Sequence, residues 1–245
     1  INNYRIEDNN LLHYDGRYFF KCETIDFQYT DINVRRGGII RLRNKLPQTN
    51  PERHSELIAN NWIQLREPQN LASAMLAAVP LMILSALLSF KSLNIFAFSL
   101  ANFGITPSQI SVTIDLQDFV YFIGLSVVII FIHELLHLVF VPDFLTSDKA
   151  FLGITYFGGF AYSEEVLSKS RFILILLSPF VVISLILPGI LGVLNLLNPL
   201  IKFIILVNAM GSGVDMLSVV LVLIQVPAGA YLTCNGMRTY WKSTD

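Results

Sequence analysis

The chain has 245 residues, of which 53% are hydrophobic and only 14% charged. Its mean hydropathy is +0.58, which sets it apart from ordinary soluble domains and puts the membrane class first. A net charge of −1 provides no basic surface for a polyanion, so no nucleic-acid partner is expected. Cys22 and Cys234 lack the paired spacing of a disulfide framework or a thiolate zinc site and read as ordinary thiols.

Residues 1–69 form a polar region that holds ten of the 17 lysines and arginines and no run long enough to cross a bilayer. Tyr18-Phe19-Phe20 and Ile25-Asp26-Phe27-Gln28-Tyr29, broken by Asp15-Gly16 and Gly37-Gly38, predict strands and turns. From Pro51 the pattern turns helical, with Leu57, Ile58 and Trp62 on one face, and leads to the first membrane segment.

Residues 70–245 form the membrane domain. Four apolar segments, near 71–90, 119–141, 172–194 and 200–226, reach the length of about 20 residues that a hydrocarbon core requires. Four crossings put both termini on one side. Of the basic residues only Lys91 and Lys202 fall on the opposite side, so the positive-inside rule predicts a multi-pass protein of the cell membrane with cytoplasmic termini. The expected fold is therefore all-α and polytopic, with about four transmembrane helices, a small β-hairpin and a mixed or β-rich soluble N-terminal region.

The hairpin is expected in the second loop, where Phe151-Leu152-Gly153-Ile154-Thr155-Tyr156-Phe157 and Phe160-Ala161-Tyr162 flank Gly158-Gly159, read as its turn. The tail around Asn235-Gly236 gives a second hairpin signal, with a plain surface tail as the alternative. The third and fourth crossings, joined by a few residues, should pair antiparallel. Pro80, Pro179 and Pro188 mark kinks.

Chemistry concentrates in the second crossing, at His133-Glu134-Leu135-Leu136-His137. Histidines four apart share one helical face a turn apart, near enough for both imidazoles to bind one cation, and zinc suits that geometry. Glu134, beside the first ligand, can take a proton from water and pass it to a leaving amine. A catalytic zinc needs a third protein ligand. The other histidines, His13 and His54, lie in the polar region, and the only acidic residues inside the four apolar segments are Glu134 and Asp215. Asp215 is thus the expected third ligand, and a divalent ion would be the partner that an intramembrane carboxylate requires.

Asn208, Gly211 and Ser212 share the helical face of Asp215. They can pack helices closely, or Asn208 and Ser212 can hold a substrate carbonyl. Gly158 and Gly159, beside the motif helix, are candidates for pairing with an extended substrate by strand addition. The plain alternative for the whole set is a buried hydrogen-bond cluster between helices.

An HExxH in one transmembrane helix joined to Asn208-Ala209-Met210-Gly211-Ser212-Gly213-Val214-Asp215 in a later one resembles the bacterial putative zincin peptidases, distant relatives of site-2 proteases. The resemblance runs from about Trp62 to Trp241 and includes the hairpin-like loop and the Ser178-Pro179 step. It implies a zinc metalloendopeptidase that cuts transmembrane or membrane-associated peptides, with His133, His137 and Asp215 as ligands and Glu134 as base. Site-2 proteases usually carry Leu-Asp-Gly around the third ligand, whereas Val214-Asp215-Met216 stands here. The competing expectation is a zinc-binding membrane protein without hydrolysis: a metal carrier, a sensor or an immunity-type factor.

Overall fold

The computed structural model describes residues 11–14, 17–20, 42–43, 47–95, 105–106, 109–110, 116–145, 147, 149–155 and 158–243. The chain divides into two compact units, Ile1–Asn33 and Val34–Asp245. In the first, β1 (Leu11–Tyr14) pairs antiparallel with β2 (Arg17–Phe20), Leu11 opposite Phe20, which places a strand at the predicted Tyr18–Phe20. The predicted strand Ile25–Tyr29 and the turn at Gly37-Gly38 lie outside the described residues.

The first described elements of the second unit are a two-residue strand, β3 (Leu42–Arg43), and then α1 (Pro51–Ala59). Asn50 caps α1 by accepting from the amides of Glu52 at 2.8 Å and Arg53 at 3.3 Å, with Pro51 in the first turn, where a missing N–H costs nothing. β4 (Ile63–Gln64) leads into α2 (Leu71–Ile95). A small hairpin of β5 (Ile105–Thr106) and β6 (Gln109–Ile110) precedes α3 (Leu116–Val139). Then come β7 (Ala150–Thr155), β8 (Gly158–Ser163), β9 (Leu167–Ser168) and α4 (Lys169–Pro179). A π-helical segment, Phe180–Ile186, carries α4 into α5 (Leu187–Val193). α6 (Pro199–Gly211), α7 (Gly213–Gln225), β10 (Tyr231–Asn235) and β11 (Arg238–Lys242) complete it.

Among the described residues four helical stretches are long and apolar enough to cross a membrane: Leu71–Ile95, Phe119–Val139, Lys169–Val193 and Pro199–Gln225. They coincide with the predicted crossings to within a few residues. α2 packs on α6 and α7, and α3 packs on α4 and α6. At Gly213 a Cβ would come within 2.3 Å of Met82 Cγ and 3.0 Å of the Met82 amide nitrogen, so only glycine lets α7 approach α2 this closely. The outward face of α3, including Val120, Val127 and Phe131, is exposed and apolar, as a lipid-facing surface must be.

At the end of the bundle where β4, β9 and the tail meet, the sheet order is β4-β11-β10-β9. The predicted tail hairpin is thus a structural element. Its turn places Gly236 at φ 58°, and a Cβ there would lie 2.4 Å from the Thr49 amide nitrogen, so glycine is required twice over. Asn50 and Asn235 exchange two hydrogen bonds of 2.9 Å, and the Gln225 side chain exchanges two of 2.9 Å with the Arg66 backbone. The approach to the first crossing is thereby tied to the exit of the last.

A second sheet, of order β3-β7-β8, follows the motif helix. The predicted turn at Gly158-Gly159 is corrected: both glycines belong to β8, Gly158 opposite Thr155 and Gly159 opposite Ile154. The reason is local. A Cβ on Gly159 would sit 2.7 Å from Glu134 Cγ, so the glycine there serves a close approach to α3 rather than a reversal of the chain.

Candidate metal centre

His133 and His137 occupy the last two turns of α3, and Asp215 lies in the first turn of α7, where the helix dipole favours a carboxylate. The helix of the last crossing breaks at Ser212, whose amide and hydroxyl both donate to the Asn208 carbonyl, at 2.9 and 3.0 Å. That break starts α7 just before Asp215. Its Oδ2 lies 3.4 Å from His133 Nε2 and its Oδ1 3.7 Å from His137 Nε2. The imidazole rings stand 5.1 Å apart at 74°.

Each histidine is oriented through its other ring nitrogen. His137 Nδ1 donates to the Ile175 carbonyl at 2.9 Å, and a carbonyl can only accept, so Nδ1 carries the proton and Nε2 is left with its lone pair. The Ile175 carbonyl is available because the residue four further on is Pro179, which has no N–H to close that helical bond. Ser178 Oγ donates to the same carbonyl at 2.8 Å. His133 Nδ1 lies 3.0 Å from Asn208 Oδ1, and Asn208 Nδ2 donates to Ser184 Oγ at 3.0 Å. Because the Asn208 amide nitrogen donates to Ser184, its oxygen faces His133, and the two Nε2 lone pairs point into one space.

This donor set fits a zinc ion. Ligand atoms about 2.0–2.2 Å from a tetrahedral zinc lie about 3.3–3.5 Å from one another. The nitrogen–oxygen distance of 3.4 Å falls in that range and the one of 3.7 Å lies just above it, and both exceed the roughly 2.7–2.9 Å of a direct charge-assisted hydrogen bond. All three ligand atoms lie within 4.8 Å of one another. Among the described residues this is the group of histidine, cysteine and acidic side chains able to hold a metal ion.

Glu134 faces β8. A Cβ on Gly159 would lie 2.7 Å from Glu134 Cγ, so the strand and this side chain are in close contact. The Glu164 amide donates to the Lys149 carbonyl at 3.0 Å, so Tyr162, Phe160 and Gly158 turn their backbone groups toward β7 by alternation. Gly159, Ala161 and Ser163 turn theirs outward, where no described strand pairs with them.

Between this edge and α4 lies a cavity of about 340 Å³, lined by His133, Glu134, His137 and Asp215 together with Gly159, Ala161 and Gly211. A larger depression of about 530 Å³ lies at Gln64–Gln69 and Arg238, away from these groups. Cys234 lines the far wall of the metal cavity, and burial pushes its thiol up to about 12.

The four residues predicted as ligands and base, His133, Glu134, His137 and Asp215, meet in one site. Asn208 lies beside them as the support of His133, and Ser212 is fully buried with its hydroxyl on the Asn208 carbonyl. Gly159 borders the cavity. Ile175, Pro179, Ser184 and Ala161 were not singled out as site residues. For Ile175 the only sequence signal was the proline four positions later.

Four membrane-length apolar helices among the described residues are compatible with a multi-pass membrane protein, and the His-His-Asp cluster gives it a candidate metal centre. Within that class, residues 126–231 match the model of the family described as putative zincin peptidase, a stretch that covers the motif, the β7–β8 hairpin and Asp215. Zincins are zinc metallopeptidases, so the match and the donor set agree on the metal. Searches of curated proteins and of solved structures returned no match.

Proposed function

We propose that the chain is a zinc-dependent endopeptidase that hydrolyses transmembrane or membrane-associated peptides within the bilayer boundary, in the manner of site-2 proteases. The observation that carries this reading is the convergence of His133, His137 and Asp215 beside Glu134, with an open strand edge alongside. Zinc bound there would supply Lewis-acid activation of water and of the scissile carbonyl. Glu134 takes a proton from the attacking water and delivers it to the leaving amine. The outward amides and carbonyls of Gly159, Ala161 and Ser163 hold the substrate backbone extended by strand addition. A helical substrate has to unwind first, because its own hydrogen bonds shield the carbonyls.

Depth follows from the helices. His133 is six residues from the end of α3 at Val139, about 9 Å at the usual rise. Asp215 is ten residues from the end of α7 at Gln225, about 15 Å. In a core about 30 Å thick these distances span from the midplane, at Asp215, toward the end nearer the termini, at His133, the end that the charge distribution predicts to be cytoplasmic. A carrier would need a lined path with several sites, and the one cluster among the described residues argues for chemistry in place.

The test is Glu134→Gln in purified protein. It should keep its zinc and lose hydrolysis of a peptide that the wild type cleaves. Turnover retained by that variant would remove the mechanism.

A further inference from the structure

We propose that the apolar end of the metal cavity is a subsite for one large aliphatic or aromatic side chain of the substrate, an inference that rests on the peptidase reading and gives it a specificity. The cavity continues past the metal ligands on two helices at once. On α3, Leu138 lies one turn beyond Glu134, and Val141, just after the helix, follows His137 by the same four residues. On α4, Ile175 holds His137 through its carbonyl, while Leu176 and Phe172 occupy one face a turn apart and run away from the metal. Leu167 completes the floor.

These residues belong to a buried apolar cluster. Leu138 is 2% exposed, Val141 5% and Leu167 5%, with Phe172 and Ala161 packed against them. The ionisable groups lining the cavity are the metal site's own, His133, His137, Asp215 and Glu134, together with the phenol of Tyr162 and the thiol of Cys234. A charged substrate side chain would be desolvated at this floor without an ionised partner.

The strand edge says how a side chain reaches it. In a strand paired along Gly159, Ala161 and Ser163, successive side chains alternate between faces, and residues two apart are about 6.6 Å distant. The Cβ position of Gly159 faces Glu134, and Ala161 packs on the apolar cluster, so this face of β8 looks onto the cavity floor. When a substrate peptide bond lies at Glu134 and Gly159, a side chain within two residues of it, toward Ser163, falls over Leu138, Val141 and Leu167. At about 340 Å³ the cavity is at the small end of ligand sites, which span about 300–1,000 Å³. It admits one large side chain with its adjoining backbone, not a folded helix.

The experiment uses full-length, zinc-loaded protein in detergent and reads binding rather than turnover. N-acetylated amino-acid hydroxamates anchor on the metal and present one side chain each, and their affinities are compared by calorimetry. Leucine and phenylalanine hydroxamates should bind at least about tenfold more tightly than glycine hydroxamate, and aspartate hydroxamate no more tightly than glycine. Leu176→Trp, which fills the subsite, should erase the phenylalanine advantage while glycine hydroxamate and zinc stay bound. Phe172→Ala, which widens it, should reduce the leucine advantage.

Equal affinity for the glycine and leucine compounds, an advantage untouched by both substitutions, or no hydroxamate binding at all would overturn the proposal. Peptide cleavage without side-chain preference removes the subsite and leaves the peptidase standing. A leucine preference without Glu134-dependent cleavage of peptides removes the peptidase and leaves the subsite as a ligand site.

Discussion

For two imidazoles to offer Nε2 to the same cation, their remaining N–H groups must be held elsewhere, and this chain uses an amide side chain for one and a freed helix carbonyl for the other. Asn208→Leu should therefore weaken zinc binding about 10- to 100-fold with all three ligands in place. Pro179→Ala restores an N–H that competes for the Ile175 carbonyl, and zinc affinity should fall in the same direction. Competition with a chromophoric chelator measures both. Cys234 offers a check on the cavity wall. Burial holds its pKa at about 12, above the 9.0 of a free thiol, so the neutral thiol contributes stability that is present below pH 9 and lost as pH rises from 9 toward 12. At pH 8 iodoacetamide should label it at least about 100-fold more slowly in the folded protein than in the denatured one, read by mass spectrometry. The ligands were legible because a four-residue spacing is a helical face and because carboxylates are scarce in apolar segments. The supports were not, since a backbone carbonyl has no letter of its own.

Among the elements, β8 has the clearest consequences. Its glycine at position 159 leaves room for Glu134, with a Cβ only 2.7 Å from Glu134 Cγ. Gly159→Val should push either the strand or the carboxylate aside, cutting hydrolysis at least about tenfold while zinc stays bound. Loss of zinc together with activity would show that the strand supports the metal site instead. Helix contact is equally unforgiving at Gly213, where Gly213→Leu should lower stability by about 1–3 kcal/mol through overpacking against Met82, seen as a lower Tm. The hairpin itself was readable from alternating apolar residues around small ones. Its turn was misplaced, because two adjacent glycines signal a turn in isolation, and only the packing of Glu134 shows that here one of them makes space within a strand. The π-helical segment Phe180–Ile186, which brings Ser184 to Asn208, has no periodicity distinguishable from that of an α-helix over seven residues.

At the scale of the molecule, four spans were plain from hydropathy, since lipid-facing helices need uniform apolar runs. The organisation of the polar flank was not. Residues 47–69 belong to the same compact unit as the membrane helices, joined through contacts far apart in sequence. Arg53 of α1 pairs with Glu164 just after β8, and Arg53 Nη2 also donates to the Glu164 carbonyl at 3.3 Å and to Thr233 Oγ1 at 3.3 Å. Tyr162 accepts from the Gly236 amide at 2.8 Å and donates to Glu164 at 3.0 Å. The pair is partly exposed, so Arg53→Ala should cost no more than about 1 kcal/mol of global stability. Amide exchange in β8 should nevertheless accelerate, because the strand loses its anchor at one end. The account depends most on the metal, and elemental analysis of purified protein tests it directly. Wild type should carry one zinc per chain, and His133→Ala and Asp215→Ala should carry far less at equal folding. Wild type purified without zinc and unable to take it up, or an Asp215→Ala protein that binds zinc as tightly as wild type, would contradict it.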